Sequence, residues 1–236
     1  MDHPRPRARL GTRSHGPVRP SRWYQLKVTL ENTDPAVWRR IAVRGDVKLD
    51  LLHAVLQLAM GWTNSHLHMF LIGAYRYSDP ASIDSSNWGD EEDKDERKLT
   101  LAQVVAGGIT TFGYEYDFGD SWTHLLVVEQ ELPADARSKA IARCLDGARA
   151  CPPEDCGGGH GFAELLKVMK NPKHRQYRSM VDWLGSPFDP VAFDIAETNQ
   201  FLQRLKWPRT SDDDLGIMLE ARFTARANKR KRRPGR

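Results

Sequence analysis

What this chain lacks narrows its classes first. Its 236 residues contain no apolar run near the roughly 20 residues that a membrane-spanning helix requires. The N-terminus shows none of the apolar stretch of a secretory signal. A cytoplasmic protein with no membrane partner is expected. Cysteine is scarce: Cys144, Cys151 and Cys156 are an odd number crowded into one segment, unlike the disulfide framework of a secreted protein. Reduced thiols are expected. No internal repeat is present.

The folded body also lacks net positive charge. The formal net charge of +4 comes from the ends. Residues 1–20 carry five arginines against Asp2, and residues 226–236 carry seven cations, so the body between them is left at −7. A nucleic-acid binder normally places its basic residues on the surface that tracks the phosphates. Here that role falls to the tails alone, as non-specific binding centred on Lys229–Arg233; the plainer reading of both tails is a solvated, solubilising end.

What is present reads as an α+β domain. Residues 1–20, rich in Pro, Arg and Gly, cannot offset the entropy of ordering and form a disordered basic tail. The domain spans 21–206, and 207–236 is an extension with a basic disordered end. Tyr24, Leu26, Val28 and Leu30 alternate with polar residues as in a half-buried strand, and after Asn32–Pro35 the run Val37–Val43 returns as its partner. Leu49–Met60 has the spacing of an amphipathic helix with one face on a sheet, ended by Gly61. His66–Ile72 and Tyr75–Tyr77 read as strands, 79–98 as a mobile acidic loop, and Leu101–Val105 as a short helix capped by Thr100. Phe112–Phe118 and Trp122–Glu131 form the clearest hairpin, in a mixed or antiparallel sheet. A C-terminal group of helices follows at Phe162–Lys170, Arg175–Leu184 and Val191–Leu205, the last opened by Asp189-Pro190, with a further one at Leu215–Phe223.

Four blocks carry a family resemblance. They are Val28–Leu30 through Val37–Ile41; Gly61-Trp62 through His66–Phe70; Tyr114–His124; and Cys144–Gly147 through Pro152–Gly158. In this order they resemble the plasmid pRiA4b ORF-3-like family, from about residue 23 to about 205. The resemblance implies an α+β fold of the MM3350-like type and an origin among genes carried on plasmids or within insertion sequences. Some members bear the resolvase label TnpR; it does not transfer, because the chain shows neither a recombinase domain nor a helix-turn-helix. Lys48 stands where the family tends to have threonine before the first helix.

Several residues bear chemistry, each with a bland alternative. Alternation sends Trp38 and Arg40 to one strand face and Arg39 to the other; the plain reading is a core tryptophan beside a snorkelling arginine, the sharper one an anion-binding arginine. His66 and His68, two apart on a strand, project about 7 Å apart from one face, which suits two ligands of one site or two structural histidines. Asp117, Asp120 and His124 cluster around a tight turn; aspartates there bond the turn's own backbone, or Asp120 orients an imidazole. Glu154 and Asp155 cap loop amides or form one wall of a polar pocket with His66, His68, Asp120 and His124. Cys144, Cys151, Cys156 and His160 are enough in number for zinc, but their spacing is not that of a finger or ribbon. Their plain reading is a rigid loop with small apolar fillers. Gly157–Gly159 before a helix could offer amides to an anion, which the acidic pair beside them opposes.

Three functional readings follow: an accessory or interaction protein of a mobile element, an enzyme with a His/Asp and metal-assisted site, or a zinc-stabilised structural module. The tail assignment is testable directly. Deleting 1–20 and 226–236 should leave a cooperative thermal unfolding transition and remove any salt-sensitive nucleic-acid affinity. Loss of that transition, or affinity that survives the deletion, would refute it.

Overall fold

The computed structural model describes residues 22–82, 93–133 and 139–206, together with Leu215 and Met218. Both basic tails lie outside the described residues, as does most of the expected last helix. Leu215 and Met218 are helical and buried.

The framework is one mixed sheet of eight strands. In chain order they are β1 (Trp23–Leu30), β2 (Val37–Arg44), β3 (His68–Ile72), β4 (Tyr75–Ser78), β5 (Asp93–Asp95), β6 (Thr111–Tyr116), β7 (Trp122–Leu132) and β8 (Ala142–Ala148). Their spatial order is β5-β4-β3-β6-β7-β1-β2-β8. Every pairing is antiparallel except β4 with β5. Five α-helices with defined bounds accompany it among the described residues: α1 (Leu49–Met60), α2 (Leu101–Ala106), α3 (Gly158–Met169), α4 (Tyr177–Leu184) and α5 (Ile195–Leu202). No helix among the described residues is long and apolar enough to cross a membrane.

Strand alternation sets the core. Leu26, Val28 and Leu30 on β1, Phe70 and Ile72 on β3, Phe112, Tyr114 and Tyr116 on β6, and Trp122 and Leu126 on β7 are buried beneath α1. α1 is more enclosed than its amphipathic spacing implies. Every residue except Asp50 is buried, because α5 and a 3-10 turn at Glu96–Lys98 also pack on it. Lys48 gives this helix no side-chain cap; the Leu49 amide instead donates to the Leu99 carbonyl, at 3.1 Å.

The sheet departs from the expected pattern at several points. His66 lies before β3 rather than on it. Part of the acidic loop is ordered as β5 and the 3-10 turn, while 83–92 lies outside the described residues. β8 carries no apolar alternation strong enough to mark it. Its outer edge is met by Asn199 of α5, whose side-chain amide exchanges two hydrogen bonds of 2.8 Å with the Cys144 backbone. α5 starts at Ile195, capped by the Asp194 carboxylate on the Glu197 amide, not at Asp189.

The largest correction concerns the arginines of β2. The expected core residue, Trp38, is only half-buried and lies under the cations of Lys27 and Arg40. Arg39 is the buried one, 1% exposed. Its guanidinium donates to the carbonyls of Ala59 (2.9 Å), Trp38 (2.8 Å), Ala148 (2.9 Å) and Arg149 (2.9 Å), and its carbon sits 4.0 Å from the Phe193 ring. The planar five-donor fork suits this task, satisfying a last-turn carbonyl of α1 and joining it to β8. An Arg39→Leu variant strips one buried and three partly buried carbonyls of a donor at once. A loss of about 3 kcal/mol or more in urea denaturation is expected, since each unsatisfied group costs about 1–3 kcal/mol. A loss below about 1 kcal/mol would show that these carbonyls find water instead.

Candidate functional site

A cleft of about 470 Å³ opens between the N-terminal half of α1, the 64–68 segment and the 3-10 turn. Its walls include Asp50, His53, Asn64, His66, His68, Asp79 and Glu96. Two polar groups meet here, one inside the cleft and one at its rim.

The inner group is built on a pair of stacked imidazoles. His53 on α1 and His68 at the start of β3 lie face to face, centroids 3.5 Å apart and planes 7° from parallel. The environment fixes the His53 tautomer. Its Nε2 meets the Asn64 Oδ1 acceptor at 2.6 Å and therefore carries the hydrogen. Nδ1 then accepts from the Tyr114 hydroxyl at 2.8 Å, and that hydroxyl accepts from Gln57 at 3.0 Å. Burial, and then the neighbouring His68, hold His53 well below its usual value, so it remains neutral.

His68 Nε2 faces Glu96 Oε2 at 2.9 Å. Glu96 is 3% exposed, carried inward by a turn whose cap is the Asp95 carboxylate. Burial first, and then the negative charges of Asp50, Asp79 and Asp95, push its carboxyl up to about 8 against the opposing pull of Arg97. A glutamate in this state can carry its proton at neutral pH.

The rim group surrounds His66. Tyr116 ends β6 and Asp117 follows it with φ +60°, a left-handed conformation rare for a residue with a side chain. Asp117 Oδ1 accepts from the amides of Gly119 (3.0 Å) and Asp120 (3.3 Å), which leaves Oδ2 turned toward His66 Nε2 at 3.6 Å. Glu154 is divided in the same way. Its Oε1 accepts from the Thr63 amide (2.7 Å), the Thr63 hydroxyl (2.9 Å) and the Tyr116 hydroxyl (3.1 Å), while Oε2 faces His66 Nε2 at 3.8 Å. Asp155, also left-handed at φ +55°, adds Oδ1 at 3.2 Å. Burial and then the Glu154 charge raise the Tyr116 hydroxyl above its ordinary range, so it stays a donor.

The structure thus gathers His66, Glu154 and Asp155 in one place and sets His68 beside them in the same cleft. The other two proposed pocket residues are engaged by partners of their own. Asp120 turns to the next loop, where its Oδ2 accepts from the Gly157 amide at 3.1 Å. Gly158, at φ +64°, packs so closely that a Cβ would come 2.7 Å from the Asp120 carbonyl oxygen. His124 is fully buried, edge-on to Trp62 at 5.1 Å, with Nδ1 donating to the Tyr114 carbonyl at 3.1 Å. Burial pushes it down to about 4, which marks an interior aromatic. Cys144 is buried on β8, Cys151 and Cys156 are half-buried thiols, and burial pushes the Cys156 thiol up to about 12. Among the described residues, the three cysteines and His160 are not gathered as a group that could hold a metal ion, whereas the donor atoms of His66, Asp117 and Glu154 lie within 4.8 Å of one another.

Sequence reasoning missed His53 and Glu96, and read Asp117 as a turn former only. His53 and Gln57, four apart on an apolar helix, were the available signal for the first. Glu96 was hidden among seven other acidic residues of the 79–98 run that had no distinguishing pattern.

The sequence profile of the family described as "Plasmid pRiA4b ORF-3-like protein" matches residues 22–197. The uncharacterized protein y4hQ of Sinorhizobium fredii (strain NBRC 101917 / NGR234) is 36% identical over 188 residues, covering 78% of this chain and 94% of its own. The crystal structure of MM3350 from Methanosarcina mazei Go1, titled a protein of unknown function, superposes with a TM-score of 0.67 at 30% identity, covering 76% of this chain and 98% of its own.

The Glu96 environment has a signature in stability. Its carboxyl rises from an ordinary 4.5 to about 8, so folding takes up a proton between those values. The contribution is full below about 4.5 and is lost as pH rises through about 8. A Glu96→Gln variant cannot titrate there. Its Tm should gain on that of the wild type from pH 5 to pH 9, read by calorimetry across that range. A difference that stays constant with pH would contradict the raised value.

Proposed function

The chain belongs to the plasmid pRiA4b ORF-3-like protein family, and from that premise we propose that its cleft is the active site of a general acid–base enzyme acting on a small polar substrate. The family match spans His53, His66, His68, Glu96, Asp117 and Glu154, so the whole constellation lies within the shared domain. One observation carries the reading: a nearly buried carboxyl, Glu96, lines a cleft with a proton affinity close to neutral pH and is held by an imidazole. Proton transfer is most efficient when the catalytic group titrates near the working pH. Structural carboxylates are instead pulled down by their partners, as Arg40 does to Glu129, which falls to about 2.

In this reading Glu96 moves the proton, and His68 is a positioning residue that orients its carboxyl. The neutral His53 ring supports His68 from behind. An accessory role for a mobile element, the other main reading of the sequence, draws support from the word plasmid in the family description and from no feature of the cleft. The zinc-module reading draws none from the cysteine geometry.

A panel of chromogenic esters, amides, phosphoesters and glycosides at pH 6–9 tests the proposal. The expected result is turnover of at least one class with an apparent titration near 8, and a Glu96→Gln variant slower by about 100-fold or more, the usual contribution of such a group. The variant should unfold as cooperatively as the wild type. Turnover that Glu96→Gln leaves intact, or a carboxyl-carbon NMR titration of Glu96 below 5, would count against it.

A further inference from the structure

We propose that His66, Asp117, Glu154 and Asp155 form a binding site for one divalent first-row metal ion of the Zn²⁺ or Mn²⁺ type. The spacing is the first argument. Donors about 2.0–2.2 Å from one ion stand about 3.0–3.5 Å from each other at octahedral to tetrahedral angles. The carboxylate oxygens of Asp155, Asp117 and Glu154 stand 3.2, 3.6 and 3.8 Å from His66 Nε2. The donor atoms of His66, Asp117 and Glu154 all lie within 4.8 Å of one another. A direct hydrogen bond would need about 2.7–3.2 Å, so Asp117 and Glu154 stand around Nε2 without bonding it.

Orientation is the second argument, and it is independent of spacing. In both Asp117 and Glu154 one oxygen is fully engaged by protein donors, which directs the other toward the same point. The atoms left over are buried: His66 Nε2 and Glu154 Oε2 have no hydrogen-bond partner among the protein groups. Asp117 is itself 8% exposed and held in a left-handed backbone. A buried polar atom without a partner costs free energy, and two such atoms facing each other, with Asp117 Oδ2 beside them at 3.6 Å, are accounted for by a shared ligand. The ligand must be a cation, because three carboxylates face one imidazole. One nitrogen and two or three carboxylate oxygens favour borderline ions over a thiolate-seeking or purely oxygen-seeking one.

The site adjoins the cleft, since His66 lines both. A bound ion would therefore offer its remaining coordination positions to whatever enters, as catalytic metals do. The proposal does not rest on the Glu96 reading. It uses different residues, and either can fail alone.

The test uses the full chain without a histidine tag, stripped with EDTA and titrated calorimetrically with Zn²⁺ and with Mn²⁺. One ion per chain is expected. His66→Ala and Asp117→Asn should each weaken binding by about 100-fold or more, because even outer partners of a ligand are worth 10–100-fold. A Cys151→Ser, His160→Ala double variant should bind as the wild type does. Paramagnetic Mn²⁺ added to the wild type should broaden the His66 imidazole signals before those of His160 and His174, which decides the matter if a variant fails to fold. Binding that survives both ligand substitutions, binding lost in the cysteine variant, or no binding tighter than about 1 mM would overturn the proposal.

Discussion

The arrangement depends on a single carboxylate oxygen. Glu154 Oε1 collects the Thr63 amide, the Thr63 hydroxyl and the Tyr116 hydroxyl. Those donors come from two pieces of chain, the loop leaving α1 and the end of β6, and the acceptor from a third, the segment before α3. Charge-assisted hydrogen bonds are about twice as strong as neutral ones, so this node locks three segments together. Trp62 reinforces it through its indole N–H on the Pro152 carbonyl at 3.1 Å, and Ser65 through its amide on the Tyr116 hydroxyl at 3.0 Å. With those segments fixed, the direction of His66, the second oxygen of Glu154 and the turn of Asp117 are all determined.

The same rigidity explains why so much polarity is tolerated inside the domain. His53, Gln57 and Tyr114 are buried, yet each meets the others or Asn64 through hydrogen bonds of 2.6–3.0 Å. A buried network of this kind is acceptable only when its members are satisfied. Among the described residues the departures from that rule are His66 Nε2 and Glu154 Oε2, Trp122 Nε1 and His124 Nε2 in the aromatic core, and the raised carboxyl of Glu96; of these, His66 and Glu96 line the same cleft. Local departures from an otherwise consistent structure concentrate where function requires them.

Most of the framework was legible in the sequence because it follows from alternation and spacing. β1, β2, β6, β7 and α1 each declared themselves by apolar period, and the four motif blocks identified the family. The grouping of His66, Glu154 and Asp155 is also readable from the sequence, and carboxylate oxygens of the latter two stand 3.8 and 3.2 Å from His66 Nε2. The remainder depends on distance in space. Arg39 looks like a solvent-facing cation until four carbonyls from three segments converge on it. Glu96 differs from its acidic neighbours only in being folded under α1, and Asp120 was drawn away from the histidines by an amide 37 residues further on. No local pattern encodes such partners, because tertiary packing chooses among residues that are chemically alike.

The most direct check is anomalous diffraction at the zinc absorption edge from crystals grown with Zn²⁺. The account places one strong peak about 2.0–2.2 Å from His66 Nε2 and from carboxylate oxygens of Asp117 and Glu154. A map with no peak there, and with His66 Nε2 closed to hydrogen-bond distance on Glu154 Oε2, would contradict it.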